Sequence, residues 1–399
     1  MQRQLQIREM RLKHGLTQER AASLVSVTKQ TWQRWEAGAQ MHDAYWQLFT
    51  SLLEEKMNHP TVGPKFDAFS QKDISGRGDE LAASTHKSEK KRKNARFKFI
   101  DLFAGVGGVR LAFEAAGGEC VFSSEIDQFA KYTYYSNHGV VPFGDILKID
   151  EKQIPKHDVL CAGFPCQPFS HIGRREGFEH PTQGTMFHEI LRIAKARKPK
   201  VLFLENVVGL VNHDRGNTFK VILESLEGIG YKVDKKVLDS SNFGIPQKRK
   251  RIYIVAVLKS KKDFVFPTGK SELVDLGSII EGDEKAIGYS ISKHLQNTYL
   301  YKIDDGRPVL VDRKTKGPGK TLVSSYHKIQ RLTGTFVRGG ETGVRLLTAN
   351  ECKSIMGFPA NFYIPVSRTQ MYRQMGNSVA VPVVEAIAKS IARDVFPKK

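Results

Sequence analysis

Cys166 lies in GFPCQPFS (163–170), directly after the apolar run VLCAG (159–163) and between Pro165 and Pro168. A lone cysteine is most often a small buried hydrophobe. Here the prolines stiffen the turn, and the strand-end position points the thiol outward. A thiolate is the strongest common protein nucleophile near neutral pH. Glu205, in LENVVG (204–209), ends another apolar run, where a carboxyl must find a polar partner or hold its proton. QKRKR (247–251) offers Gln247, Arg249 and Arg251 at alternate positions entering a third run, which predicts that all three face one side. The plain reading is a surface basic cluster. The chemical reading is a donor array that grips a carbonyl oxygen and helps keep the thiol ionised.

A second set suits a small ligand. FIDLFAGVGGVRLAF (99–113) runs from a strand through Gly105, Gly107 and Gly108 into a helix, so the backbone can turn tightly and approach a ligand. It is neither the triphosphate loop G-x-x-x-x-G-K nor a clean G-x-G-x-x-G. Glu125 in VFSSEID (121–127) ends a second strand and could accept both ribose hydroxyls of an adenosine. Asp145 in FGDI (143–146) ends a third and could accept from the adenine amine. Each acid alone would read as solvated loop. In this order they favour an adenosine ligand without a diphosphate.

The elements that must hold these groups alternate. The runs FIDLF (99–103), VLCAG and VLFLE (201–205) read as buried parallel strands, and RIYIVAV (251–257) closes the series. Helical patterns over 108–116, 185–197 and 217–228 separate them, which predicts an open α/β sheet covered on both faces. Residues 259–343 are irregular, with 15 basic and 10 acidic residues. Residues 1–57 read as short helices, with Leu5, Met10, Leu12, Leu16, Ala21, Leu24 and Val27 as the apolar face, Thr17 and Thr28 as N-caps and Gly38 as a stop. Residues 58–96, interrupted by Pro60, Gly63, Pro64, Gly76 and Gly78, read as a basic flexible linker. Its end, HKSEKKRKNARFK (86–98), is a solvated tail or a phosphate-contacting segment.

Composition narrows the classes. The 399 residues allow two or three domains, and 62 Lys+Arg against 42 Asp+Glu give a net charge of +20, which suits a polyanionic partner. Four cysteines without a C-x-x-C pair exclude a disulfide framework and argue against a metal site. No apolar run of ~18 residues and no secretory leader are present, so a cytoplasmic protein with no membrane partner is expected.

With FAGVGG, GFPCQPFS, ENV, QKRKR and YRQMGNSVAVP in this order, residues 99–258 and 345–389 resemble the bacterial DNA cytosine-5 methyltransferases. The resemblance implies a Rossmann-like S-adenosylmethionine-dependent domain at 97–258, a target recognition domain at 259–343 and a return to the catalytic domain over 344–399. It implies that Phe103, Gly105, Gly107, Glu125, Ile126, Asp145 and Ile146 hold S-adenosyl-L-methionine, with Asn377 and Ser378 completing the pocket and S-adenosyl-L-homocysteine as product. Cys166 would attack carbon 6 of a flipped cytosine, Glu205 would bond N3 and Arg251 would hold O2. Gln167 and Ser170 would belong to a loop closing over double-stranded DNA. Thr321, Leu322 and SSYHK (324–328) are the candidate DNA contacts in the variable segment. Gly357-Phe358-Pro359 would mark the return. The family's usual Arg-Gly pair is Gln183-Gly184 here, which puts a contact at the loop's hinge in doubt. IPVSRTQMYRQMGNSV (364–379) resembles members that act on CC-containing sites.

LTQERAASLVSVTKQTWQRWEAG (16–38) resembles the helix-turn-helix of phage-repressor-type regulators, with Ser26 in place of the turn glycine. That implies an all-α module whose second helix offers Thr28, Lys29, Gln30, Gln33 and Arg34 to a major groove, with Trp32 and Trp35 in its core. Its partner would be the operator DNA of its own operon. The alternatives are packing on the enzyme or dimerisation, while a monomer is expected on the methylation site. The expected setting is a bacterial or phage restriction–modification system. Two other readings compete. An RNA cytosine methyltransferase would carry a Cys-Phe-Thr tripeptide that 259–343 lacks. A regulator with a vestigial catalytic domain would not need Cys166, Glu205, Arg249 and Arg251 together.

Overall fold

A computed structural model describes residues 2–13, 16–18, 21, 22, 25, 27–41, 43, 45–47, 49, 50, 53, 69–89, 94–165, 186–269 and 272–397. Two compact units divide the chain: one of residues 71–244, 248–272 and 379–399, the other of residues 1–70, 245–247 and 273–378.

The first unit is built on a six-stranded sheet: β1 (Phe97–Leu102), β2 (Gly118–Ser124), β3 (Val159–Gly163), β4 (Val201–Val207), β5 (Tyr231–Asp239) and β6 (Lys250–Leu258). Its spatial order is β2-β1-β3-β4-β6-β5. The first four strands are parallel, and β3 and β4 are apolar runs buried on both faces. Helices Met186–Arg197 and Asn217–Gly228 bury Ile190, Ile193, Ile222 and Leu226 against Ile100, Leu160, Leu202 and Leu204. On the other face Phe113, from helix Gly108–Ala115, packs against Phe99 and Phe203 with ring centroids 5.4 and 5.2 Å away.

β6 departs from the parallel pattern and runs antiparallel to both β4 and β5. The physical reason is the short 240–249 connection: a parallel return needs a crossover of a dozen residues or more. The consequence is functional. The start of an antiparallel strand lies at the edge where its parallel neighbours end, and Arg251 pairs in register with Val207.

The expected linker is corrected over 71–88. Gln71–Gly76 and Gly78–Ser88 are helices that belong to the sheet unit. Ile74, Leu81, Ala82 and Thr85 recur at helical spacing and are buried, while Gly76 and Gly78 fall at the helix junction rather than in a coil. Thr85 Oγ1 accepts from the Val141 amide at 3.0 Å, and Asp79 accepts from Gly144 at 2.8 Å.

In the second unit β7 (Leu310–Val311), β8 (Phe336–Arg338) and β9 (Val344–Arg345) form a small sheet. The 344 boundary expected from the sequence is also corrected, because 344–378 remain in this unit and the chain rejoins the sheet unit at Val379. Arg345 and Glu351, both fully buried, form a bidentate pair at 2.8 and 2.9 Å. Glu351 also accepts from the amides of Thr348 and Glu281, so RLLTANE is tied to the segment before it. Breaking such a pair leaves a buried charge and costs about 3–5 kcal/mol.

The N-terminal helices lie in this unit. Thr28 caps helix Lys29–Glu36 by accepting from the Thr31 amide, and Trp32 and Trp35 are buried, as the sequence predicts. Glu36 accepts from Arg11, Gln18 and Trp32 at 2.5, 2.6 and 2.8 Å. The first helix buries Ile7 and Arg11, whereas Leu5 and Leu12 are exposed. The Glu36 hub rotates that helix so that an arginine stem takes a core position. Tyr45 packs against Gly288 and feels the charges of Arg368 and Glu341.

Candidate active site

The order β2-β1-β3 places a topological switch point between β1 and β3, so a crevice is expected at the carboxyl ends of these strands. Among the described residues, Phe103, Gly105, Gly107 and Glu125 follow β1 and β2 at that edge, and Glu205 and Arg251 lie there on β4 and β6. After β1, Phe103, Gly105 and Gly107 all have positive φ, at 57°, 56° and 91°. A non-glycine residue there is uncommon and marks a constrained turn. Glu125, after β2, holds that turn: its Oε2 accepts from the Gly105 amide at 2.8 Å and its Oε1 from the Asp127 amide at 2.7 Å. Burial raises its pKa, and the Asp127 and Gly105 amides pull it back down. The Ile126 amide bears on the same carboxylate, which with about four acceptor sites is still not filled.

The space above Gly105 is open, and a Cβ there would touch nothing within 4 Å. The Ile126 side chain stands exposed beside it. An apolar ledge, an open glycine turn and a carboxylate with spare acceptors fit an adenosine-bearing ligand. Asp145 accepts from the Leu147 amide at 3.1 Å. Ile146 is corrected in part: its side chain is buried in the core, so only its main chain could meet a ligand. Asn377 and Ser378 end helix Arg368–Asn377 and belong to the other unit. In that helix Gly376 has a packing role, since a Cβ there would collide with the Val323–Ser324 main chain.

At the neighbouring strand ends the charges converge. Glu205 pairs in register with Gly163 on β3 and Tyr253 on β6. Arg251 Nε lies 3.2 Å from Glu205 Oε1. Burial raises the Glu205 pKa against the opposing pull of Arg251 and Arg249. Arg249 is itself buried; desolvation, then the Arg251 charge, brings its pKa down to about 10, with Glu205 pulling the other way. The result is a carboxyl that burial makes easier to protonate, set beside two guanidiniums.

Cys166, Gln167, Ser170, Gln183 and Gly184 lie outside the described residues. What leads to Cys166 is described: Phe164 is buried, and the Asn206 side chain donates to its carbonyl at 2.9 Å. Asn206 thus ties the approach to Cys166 to the residue beside Glu205. The sequence reading missed it, although its place in the ENV motif was a signal. Cys120, Cys161 and Cys352 are buried. Burial pushes Cys120 up to about 12 and raises the other two well above a usual thiol, so none is a ready thiolate.

Gln247 is the clear correction. It precedes β6, is fully buried, and belongs with residues 273–378 rather than with Arg249 and Arg251. Its Oε1 accepts from the Leu322 amide at 2.7 Å and its Nε2 donates to the Ile355 carbonyl at 2.8 Å. Alternation of side chains holds only inside a strand, and Gln247 lies outside it. It organises the 321–322 turn instead of gripping a substrate. Leu322 is corrected with it: the side chain is buried and not presented to DNA, while Thr321 is half-buried. In the N-terminal module Thr28, Lys29, Gln30, Gln33 and Arg34 are all exposed.

A model of the C-5 cytosine-specific DNA methylases matches residues 97–393, and a helix-turn-helix model matches 5–49. The chain belongs to the C-5 cytosine-specific DNA methylase family. It is 59% identical to the Type II methyltransferase M.MspI of Moraxella sp, over 96% of this chain and 93% of that protein. It is 38% identical to M1.ScrFI of Lactococcus lactis subsp. cremoris, over 97% of this chain and 94% of that one. The Dnmt2 methyltransferase of S. pombe shares the fold, with a TM-score of 0.62 at 21% identity over 75% of this chain and 99% of that one. This DNA cytosine-5 methyltransferase therefore pairs a Rossmann-like catalytic fold with an N-terminal helix-turn-helix. No helix among the described residues is long and apolar enough to cross a membrane, and no cluster of His, Cys, Asp and Glu among them could hold a metal ion.

Gly107 offers a direct test of the turn. Its φ of 91° disfavours any side chain, and a Cβ there would overlap the His138 imidazole. Gly107→Ala is expected to lower S-adenosyl-L-homocysteine affinity at least about tenfold by calorimetry, the order of 1–3 kcal/mol stored in such a strained position. An unchanged affinity would separate this turn from the cofactor.

Proposed function

We propose that the enzyme transfers a methyl group from S-adenosyl-L-methionine to carbon 5 of a flipped cytosine within a specific duplex sequence, as the modification half of a restriction–modification system. The observation that carries the reading is the Glu205 carboxyl, its pKa raised by burial, paired with Arg251 and in register with the strand that leads to Cys166.

Carbon 5 of cytosine is a poor nucleophile. Addition of the Cys166 thiolate to carbon 6 breaks the aromatic ring and moves electron density toward carbon 5. Glu205, protonated, donates to N3 and offsets the charge that develops there, while Arg251 holds O2; preorganised donors of this kind act where charge appears. The bound cofactor supplies an electrophilic methyl on sulfur. Loss of the carbon-5 proton then expels Cys166 and restores the ring. Phe103, Gly105, Gly107, Glu125, Ile126, Asp145, the Ile146 main chain, Asn377 and Ser378 would hold the cofactor. Arg249 would support the Arg251 and Glu205 charges. Neither face of the 5,6 bond is open in a stacked duplex, so the base must leave the helix at a cost of a few kcal/mol. Gln167 and Ser170 would help to offset that cost, and Thr321 would contact the DNA.

The N-terminal module supports a second role at the same level. Exposed Gln30, Gln33 and Arg34 on a capped helix suit a major groove, and repression of the enzyme's own operon is the function proposed for it.

Tritium transfer from the methyl donor to plasmid DNA, with bisulfite mapping of the product, tests the reaction. Glu205→Gln keeps the shape but not the titratable proton, so its kcat is expected to fall about 10²–10⁴-fold. Protonation of the Cys166 thiolate should lower the wild-type rate at low pH, and because the Glu205 pKa is raised, an alkaline limb should follow as pH climbs through that value. The variant should lack that alkaline limb; a parallel pH profile would remove Glu205 from the acid role. For the module, Gln30→Ala with Arg34→Ala in the full chain should abolish a footprint upstream of the gene and leave methylation intact. A footprint that survives would refute the operator role.

A further inference from the structure

In the second unit a helical turn, Gln296–Leu300, ends on the buried Leu300, and residues 301–309 that follow are irregular and solvent-facing apart from Pro308, yet one side chain fixes their shape. Arg331 donates from Nε to the Leu300 carbonyl at 2.8 Å. From its terminal nitrogens it donates to the carbonyls of Ile303 and Arg307, both at 3.0 Å, and it forks onto both oxygens of Asp305. Its own amide donates to Tyr299 Oη at 3.4 Å. The guanidinium is covered, with 10% of the side chain exposed, although the loop it braces is not.

Such a brace orders a loop that would otherwise lose little by being mobile, and ordering costs about 1–2 kcal/mol per residue. Leu300, where the brace begins, is buried, but the side chains from Tyr301 to Arg307 stay in water. Val309 is 72% and Ile303 60% exposed, and Tyr299, Tyr301 and the neighbouring Leu332 also face solvent. Several apolar and aromatic side chains exposed along one braced segment suit an interaction surface. Its surroundings are cationic: residues 299–333 hold eight Lys and Arg against three Asp. Cations that meet phosphates, beside apolar and hydroxyl groups that meet base edges, suit duplex DNA better than a protein face.

We propose that the 301–309 loop reads the base pairs flanking the target cytosine, with Tyr301 and Ile303 as reading side chains and Arg331 as the positioning residue that sets them. The inference deepens the sequence-specific methylation proposed above and rests on it. It places the reading surface on residues that sequence inspection passed over in favour of the 321–328 segment.

The test uses the full-length enzyme. Its site is first mapped on plasmid DNA by bisulfite sequencing. Initial rates are then compared on duplexes carrying that site and on duplexes with one flanking pair changed. Tyr301→Ala and Ile303→Ala leave the brace intact and are expected to reduce discrimination at one or more flanking pairs about tenfold, within the range typical of one base-pair contact. Arg331→Met should relax several positions at once, and Arg331→Lys, which keeps the charge without the fork, should fall between. Cofactor affinity, read by calorimetry, should not move. If Arg331→Met fails to fold, the two surface variants decide alone. Discrimination unchanged in both surface variants would overturn the proposal and leave the patch to a protein partner. A wild-type enzyme that methylates cytosine without sequence preference would remove the specificity reading itself, and this inference with it, before any variant is compared.

Discussion

A carboxyl group buried beside two guanidiniums at the end of a central strand is the constraint on which the rest of the structure turns. Glu205 could not sit at the end of β4 without the cations, because a lone buried carboxylate is costly. Burial wins over the cations in setting its pKa, so the group holds its proton more readily than a solvent-exposed glutamate. In the proposed reaction the protonated form would donate to the ring nitrogen.

The sheet topology follows from this need. Parallel strands β1, β3 and β4 deliver backbone turns and single side chains to one edge. An additional parallel strand would have delivered only its last residue there. The antiparallel β6 instead brings its first residues, Arg251 with Arg249 just before it, to that same edge. The same reversal leaves Gln247 one step too early to join them, and it serves the other unit by clasping the Leu322 amide. Three alternate residues of one motif thus divide between chemistry and architecture.

Much of this was legible in the sequence, and the reason is local. The glycine turn after β1, the acids after β2 and before Ile146, and the carboxyl of β4 are set by residue type at a strand end, which spacing reveals. The helices 108–115, 186–197 and 217–228 came from periodicity for the same reason. What the sequence concealed depends on partners far apart in the chain. The place of β6 between β5 and β4 is fixed by pairing with β4, more than forty positions earlier. Helix 78–88 was hidden by two glycines that turned out to flank a junction, and only its buried Leu81, Ala82 and Thr85 justify it. Arg331 draws its acceptors from residues 24 to 31 positions earlier, a brace that no motif announces. Ile146 and Leu322 misled because an apolar residue beside a functional one is as often part of the core.

The proposed reaction rests on a bond between one sulfur and one pyrimidine carbon, made while the Glu205 proton supports the ring. A duplex carrying 5-fluorocytosine at the methylated position blocks the final loss from carbon 5 and should freeze that bond in the presence of the methyl donor. Mass spectrometry of the digested complex should then find the nucleotide on the peptide containing Cys166. A duplex that is bound but leaves no adduct on Cys166, or that attaches elsewhere, would contradict the account.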